Sequence, residues 1–169
     1  TAIALPAREI LSSRIQEAFR RLNLKAKLFI SPTSQRALML ADKEGDGDAF
    51  RVPHIKKIDP ENTTNLVQVP ESILTMELAA YTKKPSFPVE GWKSLEKYHN
   101  GARYGAKILE QKIPGKRTFL PTTVQLVQML DADRIDTMVE WNLVADSTIR
   151  NLKVKGIKKL SPPILVQPF

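Results

Sequence analysis

Four places in the sequence carry side chains suited to gripping a ligand. Arg51 lies just past the turn Gly45-Asp-Gly-Asp48, at the end of a predicted strand. Open α/β sheets bind ligands beyond the carboxyl ends of their strands. A guanidinium there suits two-point capture of a carboxylate, and a salt bridge on the surface or between lobes is the competing reading. Gly105 opens a predicted helix whose free N–H groups and positive dipole end would favour a carboxylate or phosphate, with Tyr104 and Lys107 beside it. A plain helix start explains the same residues. Glu140 and Trp141 close a later predicted strand at the same kind of edge, and Asp146 is a spare carboxylate just beyond.

Chemistry on a ligand is not expected. The chain has no Cys, which excludes thiolate nucleophiles, disulfides and Cys-based zinc sites. His54 and His99 share no ligand-like spacing with each other or with carboxylates, and no Ser or Thr sits in a nucleophile elbow. Asp42, Glu44, Asp46 and Asp48 alternate around Gly47 like a calcium loop, but counting from Asp42 puts Pro53 where the bidentate Glu should stand. That segment reads instead as a polar helix-to-strand turn. Neither a metal nor a cofactor is expected.

The elements that must position these residues alternate. Ile10, Leu11, Ile15, Phe19 and Leu22 recur at helical spacing, so a helix is predicted over 10–22. A short strand follows at 27–30. A second helix over 35–43 is capped by Thr33 or Ser34 and stopped by Gly45. Strands are predicted at 48–52 and 66–69, with a longer extended stretch over 73–82. After Pro85 and Pro88 the pattern restarts: a short helix over 92–98, with Trp92 read as the plug of the local core, a weak polar strand over 101–104, then a helix over 106–113 stopped by Pro114-Gly115. The strand 117–120, a helix 124–130 capped by Thr122 or Thr123, the strand 135–141, a helix 143–152 and a strand near 157–160 complete the series. This order argues for α/β with mainly parallel pairing.

Composition agrees with a globular domain, since 42% of the residues are hydrophobic and 26% charged. The longest apolar runs, such as 38–41 and 164–166, are too short to span a bilayer. The net charge of +8 raises a nucleic-acid reading, but the basic residues are scattered in pairs such as Arg20-Arg21 and Lys158-Lys159 without interleaved aromatics. A solvated surface accounts for them.

The stretch from Ser31 to Arg51, with its Gly45-Asp-Gly-Asp48 turn, resembles the helix-turn-strand segment of bacterial family 3 solute-binding proteins. Asn65-Leu-Val-Gln-Val-Pro-Glu71 is similar to that family's N-L-V-R-V-P-E segment. Gly91-Trp-Lys-Ser-Leu95, the run Gly105 to Glu110 followed by Pro114-Gly115, Arg134-Ile-Asp136 and Ser161-Pro-Pro-Ile164 match in order and spacing. The resemblance covers nearly the whole chain from Ile10, and the ordered set is more specific than any one motif. It implies a two-lobed periplasmic binding protein-like II fold, of the type that binds amino acids for ABC transporters. It also implies a ligand role for Arg51. Many relatives carry an Asp at the end of the strand where this chain has Glu140-Trp141, so the carboxylate is displaced by one position. In a strand that displacement turns the side chain to the other face. Two departures stand out: the family's first strand is short or absent in Thr1 to Ala7, and its return strand and C-terminal helices have no counterpart before Phe169.

The expected organisation is lobe 1 with a first hinge strand over 1–82, lobe 2 over 83–160, and a return segment over 161–169. The expected function is capture of a small polar or anionic solute, an amino acid or similar, by hinge closure. Delivery to a membrane transporter in the periplasm follows, with no signal peptide in the given sequence, no nucleic-acid partner and a monomeric state. The alternative is the ligand-sensing domain of a membrane-bound signalling protein. Arg51→Ala is expected to weaken binding while leaving the fold nearly intact.

Overall fold

The computed structural model describes residues 7–51 and 53–169, and the chain divides into two compact units. Unit 1 is Thr1–Thr75 with Pro168–Phe169, and unit 2 is Met76–Gln167. Residues 76–82, attached to the first lobe in the sequence reading, therefore group with the second unit. Most of 161–169 does the same.

Unit 1 is built on α1 (Ala7–Arg21), α2 (Ser34–Lys43) and the single turn α3 (Ile55–Ile58). α1 buries Ala7 and Leu11 completely, while Phe19 and Leu22, the far end of the predicted apolar stripe, are exposed. Glu17 bridges to Arg20 and Arg21 one turn on, at 2.7 and 2.8 Å. α2 starts where the capping signal places it: the Thr33 hydroxyl accepts the Arg36 N–H at 3.2 Å. Buried Asp42 on α2 ties down the later chain, accepting the Asn65 N–H at 2.7 Å and the Thr64 hydroxyl at 2.9 Å. Burial pushes this carboxyl up, but the bonds from Asn65 and Thr64 outweigh it and hold the group below its usual value.

The strands predicted at 27–30, 48–52 and 66–69 are not sheet strands here. The described residues of all three lie outside the sheet, and Val52 lies outside the described residues. Apolar β-formers satisfy propensity, yet a strand also needs a neighbouring ladder and a face to bury. Val67 is 86% and Val69 73% exposed. In place of strand pairing, Phe169 exchanges backbone bonds with Ile73 and Leu74, and its ring stacks on Phe50 with centroids 4.0 Å apart.

Unit 2 holds the sheet. Its strands are β1 (Thr75–Thr82), β2 (Asn100–Arg103), β3 (Arg117–Leu120), β4 (Thr137–Trp141), β5 (Lys158–Lys159) and β6 (Leu165–Pro168). They run in the order β3-β2-β4-β1-β5, with β6 also on β1. β2 is parallel to both β3 and β4, while β1 is antiparallel to β4 and β5, so the sheet is mixed rather than mainly parallel. The crossover helices α4 (Lys107–Lys112), α5 (Thr123–Asp131) and α6 (Asn142–Asn151) match the predicted series to within a few residues. The core gathers Tyr81, Leu126, Val127, Leu130, Ile135 and Met138. Leu95, fully buried, plugs the turn at Trp92–Leu95, whereas Trp92 itself is half-buried.

Two glycines are set by close approach. A Cβ on Gly101 would lie 2.4 Å from the Ile135 Cδ1 and 3.0 Å from the Leu126 Cδ2, so a side chain there would force the Ile135 end to shift. Gly115, at φ +65°, would place a Cβ 2.2 Å from the Glu96 carbonyl oxygen. Next to Gly101, Asn100, fully buried, donates to the carbonyls of Leu95 and Tyr98 at 2.9 and 2.8 Å and accepts the Thr137 hydroxyl at 2.6 Å.

Candidate functional site

β2, β3 and β4 run in the same direction, so their carboxyl ends open on one edge of unit 2. The residues predicted for ligand contact on this unit lie at that edge. β2 ends on Arg103, followed by Tyr104, which is 69% exposed, and Gly105 at φ +82°. The Gly105 N–H donates to the Glu110 carboxylate at 2.7 Å. α4 itself begins at Lys107 and has six residues. The helix predicted to receive an anion is therefore short, and the Gly105 N–H ahead of it is taken by a side chain of that helix. Lys107 is half-buried in the first turn.

Glu140 is fully buried. Its Oε1 accepts the Trp141 N–H at 2.8 Å, and its Oε2 accepts the Thr123 hydroxyl at 2.8 Å, in the first turn of α5. Arg103 completes the cluster: its Nε lies 2.6 Å from Glu140 Oε2. The Nε–H is not aimed along that line, so the contact is an ion pair without hydrogen-bond alignment. The pairing follows from register, since Ala102 sits opposite Val139 and the next residues along are Arg103 and Glu140. The one-position displacement noted in the sequence thus places the carboxylate inside the unit. Trp141 is buried at 5% exposure. Asp146 accepts the Tyr81 hydroxyl at 2.8 Å, and burial followed by that bond pushes the phenol well above its usual range.

Arg51 belongs to unit 1 and is closely held there. Its Nε bonds Asp48 at 2.5 Å, its Nη1 the Ser34 hydroxyl at 2.5 Å, and its Nη2 the Ser34 carbonyl at 2.7 Å. The guanidinium thus staples the Asp48 turn to the first residue of α2. Each Nη keeps one further N–H.

The remaining sequence candidates do not converge. His99 is part of a strand-end clasp: its N–H donates to Asp136 at 2.8 Å and its Nε2 is 2.8 Å from the Thr118 hydroxyl. Lys84 bonds the other Asp136 oxygen and, together with the His99 N–H, holds that carboxyl below its usual value. In the acidic turn, Asp42 faces Asn65 and Asp48 faces Arg51, and no three His, Asp or Glu among the described residues are grouped to hold a metal. A groove of about 760 Å³ runs along α1, lined by Arg8, Ser12, Gln16, Arg20, Lys27 and Ile30 among others. It is open and contains none of the predicted site residues.

Arg103 is the member of this cluster that the sequence does not single out by its type. The signal was available: a charged residue ends a strand otherwise made of Asn, Gly and Ala, one place before a glycine turn.

No protein-family model and no curated protein sequence matches this chain. Solved structures do. The GluR0 ligand-binding core in complex with L-glutamate matches at a TM-score of 0.73 and 6% identity, over 95% of this chain and 73% of that one. The arginine-bound form of truncated ArgBP from T. maritima matches at 0.67 and 13% identity, over 94% and 74%. The substrate-binding protein of an amino acid ABC transporter matches at 0.62 and 14%, over 93% and 67%. The chain therefore has the α/β fold of the two-lobed periplasmic binding proteins that its sequence resembles. These neighbours are named for binding and not for catalysis.

Proposed function

We propose that this chain is a non-catalytic solute-binding domain that captures a small polar ligand, an amino acid or similar, by closure of its units. The observation that carries this reading is the pairing of a binding-protein fold with a charged, hydrogen-bonded cluster at the carboxyl edge of β2 and β4. Such edges are where open α/β sheets meet their ligands. At the edge of unit 2, Tyr104, Lys107 and Trp141 are the proposed ligand contacts, with Gly105 allowing the turn between Tyr104 and Lys107; Arg51, in unit 1, is proposed on its own account through its remaining N–H groups. The closed form would hand its solute to a membrane transporter in the periplasm, acting as a monomer. No helix among the described residues is long and apolar enough to cross a membrane.

A second reading is the ligand-sensing domain of a membrane-bound signalling protein, to which the match to the GluR0 ligand-binding core is equally suited. A membrane-spanning or output segment joined to this chain in its full gene product would decide for it. The common reading is tested by native mass spectrometry of the purified protein and by calorimetric titration with a panel of amino acids. A bound small solute, or saturable heat with one panel member, supports it. A clean apo mass together with flat titrations across the panel overturns it.

A further inference from the structure

The proposal concerns which ligand group the edge of unit 2 reads, and it rests on the solute-binding reading above. Glu140 stands near where a carboxylate could hold a ligand ammonium, yet it is already engaged. It is fully buried, both oxygens accept hydrogen bonds, and the Arg103 guanidinium lies 2.6 Å from Oε2. An incoming ammonium would have to displace a guanidinium and would meet its repulsion first.

Arg103 is the mirror case. Its side chain is 21% exposed, so the head group reaches the surface while Nε is held against Glu140. Neither Nη1 nor Nη2 donates a hydrogen bond to any described residue. A planar fork with Nε lying against a carboxylate and the other two nitrogens open presents two parallel N–H donors at fixed spacing, which is the geometry that matches a carboxylate. The buried Glu140 lies 2.6 Å from Nε and neutralises the fork, and the Thr123 hydroxyl and Trp141 N–H fix Glu140 in turn.

We infer that Arg103 is the anion-recognising residue of unit 2, that Glu140 is its positioning residue, and that the solute is a small carboxylate whose α-ammonium group is dispensable. L-glutamate and glutarate separate these requirements, since they share two carboxylates and only the first carries an ammonium. The experiment is calorimetric titration of the full chain with L-glutamate, glutarate, glutaramide and L-arginine. It is repeated with Arg103→Gln and Arg103→Lys, with thermal unfolding of each protein alongside.

The inference expects glutarate to bind within about threefold of L-glutamate. Arg103→Gln should weaken glutarate by about thirtyfold or more, as loss of a desolvated charge-assisted contact does. Arg103→Lys should recover part of that, and the preference for glutarate over its uncharged diamide should shrink in both variants. That preference is a ratio, so a purely structural role of Arg103 would leave it unmoved. If Arg103→Gln does not fold, Arg103→Lys and the wild-type ratio still decide. Binding of L-glutamate or L-arginine with glutarate more than about tenfold weaker overturns the inference and leaves the solute-binding reading standing. So does an unchanged glutarate preference in Arg103→Lys. Failure of all four probes to bind overturns the carboxylate assignment, and failure of the wider amino-acid panel as well overturns the solute-binding reading.

Discussion

Replacing Arg51 with alanine removes a guanidinium that makes three hydrogen bonds inside unit 1, to Asp48 and twice to Ser34. The Arg51 side chain is 15% exposed and that of Asp48 only 2%, so the pair is well removed from water. Without Arg51, the bond that remains to Asp48 among the described residues is a long one, 3.4 Å from the Phe50 N–H. Breaking a buried pair from one side costs about 3–5 kcal/mol, and partial water access at the Arg51 end brings the expected loss here to about 2–4 kcal/mol. With a urea slope of about 2 kcal/mol/M, the unfolding midpoint should fall by about 1–2 M. The expectation of a nearly intact fold is thereby revised. Affinity loss in Arg51→Ala cannot be assigned to lost ligand contact unless stability is measured beside it. The assay is urea unfolding of Arg51→Ala, Asp48→Asn and the double variant, followed by fluorescence. The pair should couple by about 1–3 kcal/mol, because Asp48→Asn removes the charge that Arg51→Ala strands. A midpoint unchanged in Arg51→Ala, or a coupling of zero, would refute the argument that this arginine is structural.

Asn100→Ala should destabilise unit 2 by about 2–4 kcal/mol, because it strands the buried Thr137 hydroxyl and the carbonyls of Leu95 and Tyr98. Asn100→Asp should give no rescue, since it keeps the acceptor and loses both donors; a urea midpoint matching wild type in either variant refutes this. Acid should also weaken the fold. The Arg20 bond, then that of Arg21, lowers the Glu17 carboxyl to about 2, and Lys84 and the His99 N–H lower Asp136. Folded values below unfolded ones mean that this contribution is complete above the unfolded carboxylate range near pH 4 and is lost as pH falls through the folded values. The urea midpoint should drop between about pH 5 and pH 2. It should drop less in a Glu17→Gln, Asp136→Asn double variant, and equal drops in both proteins count against the mechanism.

Legibility differed between the two units for a physical reason. In unit 2 most elements announce themselves locally: Thr122 caps α5 by accepting the Gln125 N–H, Pro114-Gly115 stops α4, and the predicted strand 135–141 buries Met138 and Val139. β6 escaped because Leu165–Pro168 is short, half-exposed and ends in proline. In unit 1, Val67 and Val69 have strand-forming side chains without a sheet to join, and no residue type signals the absence of a partner. The site divided along similar lines. Gly105 and Glu140 stood out as types at an edge, whereas Arg103 acquires meaning only through the register that sets it beside Glu140, an interaction thirty-seven positions away in sequence. The displaced Glu140-Trp141 pair was visible as a departure, and its consequence, a carboxylate facing inward, followed from strand alternation.

β1 has a cost in time as well as a place in the sheet. Tyr81 pairs with Met138 on one side and Lys159 on the other, so the strand that lies between β4 and β5 is also the first of the six to be synthesised. Until β4 emerges, Met76, Leu78 and Ala80, all buried in the finished sheet, have no cover. The parallel trio β2, β3 and β4 can assemble around α4 and α5 from nearer neighbours, and β1 must then be captured from behind. Pairing of this kind is slow and leaves a growing chain exposed to wrong partners. The nascent protein should therefore depend on a holding chaperone most strongly while β1 is out and β4 is not.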